Sequence, residues 1–271
     1  VMTVVSAFLV PGSPLPYQRP DNPPWSRLAA AYRAVGRALV SSRPDTIVLY
    51  STQWGAVLDA LWQTRARLTG THVDANWYEY GDLEYDIRID QMLAEACVDG
   101  SRDINISTKP VDYDQFPIDT GTIVANALMN PRGSIPLVIA ANNLYHSWEE
   151  TYQLGEVAAR EADKLGRRVA VLGVGSLSGT IFRDDIDIRE DGIASTKDDE
   201  WNKRMLKLIE SGDVTQARDL TPEYAQEARV DMGFKHFGWI LGALGGRFHG
   251  ARIHAYGAVY GSGAAVVEFK I

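Results

Sequence analysis

Four short apolar runs constrain the fold most: residues 4–10 (VVSAFLV), 46–50 (TIVLY), 135–140 (IPLVIA) and 168–174 (RVAVLGV). Each is continuous in apolar character rather than alternating, which is the pattern of strands covered on both faces. Helical spacing fills the segments between them. Leu28, Tyr32, Val35 and Leu39 place a helix over 25–40, with Pro23 and Pro24 at its start. Further helices are expected over 88–98 and 121–129. Another is expected over 148–165, with Leu154, Val157, Ala158, Ala162 and Leu165 inward and Gly166 as the stop. Residues 183–200 are acidic and aperiodic, and read as a long surface loop. Trp201, Met205 and Leu208 mark a short helix over 201–209. Thr221-Pro222 reads as a helix start for 223–229, and a further helical pattern covers 238–244. The Gly-punctuated tail, 255–269, ends in strand-like AVVEF. Strand alternating with helix predicts an α/β fold: a central mixed sheet flanked by helices, in one domain spanning 1–271.

A net charge of −8 argues against a nucleic-acid surface, which needs a basic face. Cys97 is the only cysteine, so an internal disulfide and a thiolate metal cage are both excluded. It falls among Ile89, Met92, Leu93 and Ala96, one helical face, and is expected to be a buried structural thiol. No run approaches the roughly 20 apolar residues of a membrane span. The N-terminus lacks a basic region, so a cytoplasmic chain without a signal peptide is expected.

The glycine run Gly173, Gly175, Gly179 follows an apolar strand but fits neither common site. Ser178 stands where a dinucleotide fingerprint needs its third glycine, and Leu177 stands where a hydrolase elbow needs its serine. It reads as a turn in a Gly-lined cleft. Of the five histidines none forms H-x-H or H-E-x-x-H; His146, just after 140–143, is placed to reach a pocket at a strand end. Asp231 and Lys235, four apart, read as a surface ion pair worth a few tenths of a kcal/mol if helical. The turn after the first strand, Pro11-Gly12-Ser13-Pro14, sits where open α/β sheets bind ligands, yet Gly12 offers no side chain.

Several segments in order resemble the extradiol ring-cleavage dioxygenases of the protocatechuate 4,5-dioxygenase type. Residues 7–11 (AFLVP) are similar to the family's opening strand, 45–54 (DTIVLYSTQW) to its second strand, and 116–122 (FPIDTGT) to its D-x-G-T segment. Residues 135–143 resemble its P-V-V-x-I-x-x-N strand, 176–178 (SLS) its stretch before a catalytic histidine, and Tyr256 to Glu268 its Gly-rich C-terminal strand pair. The resemblance implies an α/β scaffold whose catalytic members hold Fe(II) with two histidines and a carboxylate. That arrangement leaves open positions for substrate and dioxygen.

Carried over by position, the resemblance puts Gly12 and Gln53 where the two iron-ligating histidines stand. Gly179 takes the place of the acid/base histidine, and Asp231 that of the carboxylate ligand, one methylene short. It therefore implies a chain with vestigial positions Gly12, Gln53, Gly179 and Asp231, no metal, and no cofactor of its own. The emptied cleft would be lined by Ser13, Trp54, Asp119, Thr120, His146 and Ser178. Heteromeric members pair a catalytic beta subunit carrying Fe(II) with a related alpha chain. This chain is expected to be such a non-catalytic alpha chain, in an α2β2 assembly acting on an aminophenol. Two other readings stand beside it. One is a stand-alone small-molecule or peptide binding protein on the emptied scaffold. The other is an enzyme with a different metal set, His146 with Asp231 and His254.

Overall fold

The structure, a computed structural model, describes residues 3–271. Its frame is an eight-stranded mixed sheet. Strand β1 (Val4–Val10) is followed by a single helical turn, α1 (Leu15–Gln18), and by α2 (Pro23–Ser41). Strand β2 (Thr46–Ala56) leads into β3 (Ala60–Gln63) and then into the hairpin β4 (Arg67–His72) and β5 (Leu83–Arg88), which forms its own two-stranded sheet. Helix α3 (Gln91–Asp103), β6 (Thr108–Val111), α4 (Thr120–Met129) and β7 (Leu137–Asn143) follow. After α5 (Trp148–Lys164) and β8 (Val169–Val174) come α6 (Thr196–Ser211), α7 (Val214–Glu227) and α8 (Lys235–Ala243). The closing hairpin is β9 (Ala251–Val259) and β10 (Ser262–Phe269).

The strand order is β6-β3-β7-β2-β8-β1-β10-β9. The middle four strands, β7, β2, β8 and β1, are mutually parallel, and β10 joins β1 antiparallel. These four are the four apolar runs of the sequence. Phe8, Leu9, Val48, Leu49, Val138 and Val171 are completely buried, as strands sandwiched between helices must be. Each such side chain contributes about 1.5–3 kcal/mol by leaving water. The buried apolar residues form one continuous cluster.

Helix α8 is buried on every side, which explains its apolar sequence. It lies so close to α5 that a Cβ on Gly242 would strike the Tyr152 carbonyl, and one on Gly155 the Trp239 carbonyl. Helix α5 opens with a reciprocal capping box between Ser147 and Glu150, and Gly166, at φ 65°, follows its end.

Several expectations need correction. The acidic loop read over 183–200 ends at Ser195, whose side chain accepts the Asp198 N–H and starts α6 at Thr196. Asp198 and Asp199 are acidic because they occupy a first helical turn, where the helix dipole favours them. Thr221-Pro222 is not a helix start. Helix α7 begins at Val214, capped by Asp213, and carries Pro222 inside. Thr221 donates back to the Ala217 carbonyl at 2.8 Å, and Pro222 leaves the Arg218 carbonyl without its helical donor. The helix read over 88–98 starts at Gln91, because Arg88 belongs to β5. Its inner face is Leu93, Ala94, Cys97 and Val98, and Met92 points to solvent. No helix among the described residues is long and apolar enough to cross a membrane.

Candidate functional site

The parallel strands β1, β2, β7 and β8 end on the same side of the sheet, where a cavity of about 590 Å³ opens. Ser13 reaches it from the loop after β1, Thr52, Gln53 and Gly55 from the end of β2, and Leu144 from just past β7. Ser176 and Gly179 come from the turn after β8, and Asp231 and Met232 from the segment before α8. A strand-end crevice is where open α/β sheets place ligands.

Gln53, Gly179 and Asp231, singled out in the sequence, line this cavity, and Gly12 adjoins Gln53, each in a defined setting. Gly12 and Gln53 touch: a Cβ on Gly12 would stand 2.8 Å from the Gln53 Nε2. The Gln53 Oε1 accepts the Gly121 N–H of α4 at 2.9 Å. Asp231 is fastened on one carboxylate oxygen, which accepts from Thr52 Oγ1 at 2.7 Å and from the Ser176 N–H at 2.9 Å. Gly179 is closed to any side chain, because a Cβ would collide with the Arg229 carbonyl oxygen. Its N–H is bonded to the Ala228 carbonyl at 3.1 Å.

The surface ion pair between Asp231 and Lys235 does not form. Met232, Gly233 and Phe234 have φ of 44°, 66° and 65°, a left-handed run rather than an α-helical turn. The two side chains therefore find separate partners. Lys235 is buried and donates to the Asn143 carbonyl at 2.9 Å; burial lowers its pKa, and the charge of Glu150 opposes that shift. Next to it in sequence, His236 is fully buried with neither ring nitrogen bonded. Burial pushes its pKa down to about 4 against the opposing charge of Asp231.

Of the residues expected to line the cleft, Ser13 lines this cavity; Trp54, Asp119, Thr120, His146 and Ser178 do not, because each is engaged elsewhere or set apart from it. Asp119 caps α4 by accepting the Thr122 N–H at 3.0 Å, and it also accepts from Ser51 Oγ at 2.6 Å. Thr120 donates to Asp74 at 2.6 Å, so the 2.8 Å contact with His72 Nε2 has the histidine as donor. Ser178 turns into the protein, bonded to Asn202 and the Gly263 N–H. Trp54 is buried edge-on to Phe116. His146 is half-buried on the loop before α5; its pKa is lowered by burial, with Glu150 opposing. His254 is bonded to Glu268 at 2.6 Å across the closing hairpin.

Asp74, Asn76, Trp77 and Tyr260 line the cavity without having been read from the sequence. They sit on the tips of the β4–β5 and β9–β10 hairpins, and Trp77 meets Tyr260 edge-on at 4.7 Å. The one local signal was the D-A-N-W turn, in which Asp74 accepts the N–H groups of Asn76 and Trp77.

The donors at these positions do not fit Fe(II). Gly12 supplies none, the Gln53 carbonyl oxygen is committed to α4, and one Asp231 oxygen is held by two donors. Among the described residues no three His, Cys, Asp or Glu side chains are grouped to hold a metal ion, so His146, Asp231 and His254 do not form the alternative set.

The chain is 51% identical, over all of both chains, to the 2-aminophenol 1,6-dioxygenase alpha subunit of a Pseudomonas species. It is 30% identical to the 2-aminophenol 1,6-dioxygenase beta subunit of a Pseudomonas species, over 99% of this chain and 94% of that one. An uncharacterized protein from Escherichia coli K12 shares the fold, with a TM-score of 0.67 at 15% identity over 98% of this chain and 100% of the other. Residues 8–269 match the family described as the catalytic LigB subunit of aromatic ring-opening dioxygenase. With nearly its whole length matched, this chain belongs to the LigB family of aromatic ring-opening dioxygenase subunits.

Proposed function

We propose that this chain is the non-catalytic alpha subunit of a hetero-oligomeric extradiol dioxygenase that opens the ring of 2-aminophenol to 2-aminomuconic 6-semialdehyde. It binds no iron. It supports the assembly and stability of a beta subunit that carries Fe(II), in a cytoplasmic α2β2 complex. The observation that carries this reading is the occupancy of the cavity. A glycine, a hydrogen-bonded amide and a sterically closed glycine stand at Gly12, Gln53 and Gly179, where the family resemblance implies imidazoles in catalytic members. Identity to a named alpha subunit over the full chain supports the role, and 30% identity to a named beta subunit supports a partner built on the same scaffold.

The test is purification alone and after co-expression with the beta chain. Alone, the protein should contain no stoichiometric iron and open no 2-aminophenol ring. Co-expressed, it should elute with the beta chain as one complex containing iron and turning over. Iron-dependent turnover by the isolated chain would sink the proposal. The open cavity of about 590 Å³ favours one second reading, a stand-alone binding protein. A monomer that ignores the beta chain and retains a small aromatic or peptide ligand would support that reading instead.

A further inference from the structure

We infer that Gly12 and Gln53 act as one unit: Gln53 is a staple that fastens the end of β2, beside the cavity, to the first turn of α4 without a metal, and Gly12 is the small residue that leaves room for it. The argument starts at α4. A helix N-terminus leaves N–H groups without intrahelical partners. Asp119 takes the Thr122 N–H, as an N-cap does, but the Gly121 N–H is taken by Gln53, a side chain from another element 68 residues away. The same strand end is held a second time, since the Gln53 N–H donates to Ser51 Oγ and that hydroxyl donates to Asp119.

Gly12 makes room for this arrangement. Its φ is outside the left-handed region, so the backbone does not require glycine there. What a side chain would meet is the amide of Gln53, at 2.8 Å, with Val174 next at 3.5 Å. That amide is the movable end of a long side chain. A methyl group at position 12 is therefore accommodated by displacing it, at the expense of its bond to α4. On the other side, a Cβ on Gly121 would stand 2.7 Å from Ser51 Oγ. Gly12 thus leaves room for the Gln53 amide, and Gly121 for the Ser51 hydroxyl that holds the same strand end. A metal held by residues of separate elements cross-links them; here a neutral hydrogen-bonded side chain ties β2 to α4. The comparison with a metal rests on the non-catalytic role proposed above, whereas the staple rests on the geometry alone.

A double-mutant cycle on the full chain tests it, read by urea unfolding and by amide hydrogen exchange at Gly121. Gln53→Ala should speed Gly121 exchange about tenfold, the effect of losing one hydrogen bond. Gly12→Ala should do the same while Gln53 is present, and should add nothing once Gln53 is alanine. Gln53→Glu, which keeps the acceptor oxygen, should leave exchange near the wild-type rate and keeps the test available if the alanine variant folds poorly. Additive effects of Gly12→Ala and Gln53→Ala would overturn the staple. So would Gly121 exchange unchanged in Gln53→Ala, or Gln53→Glu exchanging as fast as Gln53→Ala. Iron bound by the wild-type chain would overturn the non-catalytic role but not the staple, so the two failures are distinguishable.

Discussion

At the scale of single residues, His236 makes the clearest pH prediction. It is fully buried and unbonded, and burial holds its pKa at about 4. An unfolded histidine titrates near 6.5. Between those values the unfolded chain binds a proton that the folded chain refuses, so stability is complete above about pH 6.5 and is lost as pH falls toward 4. His236→Phe keeps a ring of similar shape against Phe234 and removes the titration. Denaturant unfolding at about pH 7.5 and about pH 5 should show the variant gaining about 2 kcal/mol relative to wild type at the lower pH. An unchanged difference between the two proteins would mean that His236 is protonated in the fold.

At the scale of elements, two predictions follow from how helices begin and pack. Ser195 is the N-cap of α6, and Ser195→Ala should lower stability by about 1 kcal/mol in urea unfolding. The α5–α8 contact is less forgiving. Gly242 faces the Tyr152 carbonyl with no room for a methyl group, so Gly242→Ala should cost about 2 kcal/mol or more, read as a lowered unfolding midpoint. These elements also show where the sequence was legible. The four central strands were readable because burial on both faces makes them uniformly apolar, and α5 because its cap, inner face and terminal glycine agree. Helix α6 was misread because its capping turn is as acidic as a loop. Helix α7 was misread because Pro222, usually a first-turn residue, sits inside it. Strands β3 to β6 lie off the central four and lack a continuous apolar run. At the site, Gly12, Gln53, Gly179 and Asp231 could be named because the family resemblance carries them over by position. Asp74, Trp77 and Tyr260 could not, because hairpin tips are brought there by tertiary folding rather than by any period in the chain.

At the scale of the whole molecule, the core closes around apolar side chains and hydrogen-bonded loops, and among the described residues no three His, Cys, Asp or Glu side chains are grouped to hold a metal ion. Proteins that fold on a metal are destabilised by chelators. Thermal unfolding of this chain, alone, should therefore give the same midpoint with and without excess EDTA. A midpoint lowered by more than about 2 °C, roughly 1 kcal/mol for a chain of this size, would reveal a structural ion. The same measurement on the co-expressed complex should respond to chelation if the iron resides in the partner.

The contact between Gly179 and the Arg229 carbonyl bears on what the position can become as well as on shape. Residues 177–179 and 228–231 are laced together by two backbone hydrogen bonds, Gly179 to Ala228 and Asp231 to Leu177. Any side chain at position 179 must part that seam first. A substitution there collides with the backbone before it can present a new group to the cavity, so this corner is locked against variation by its own main chain.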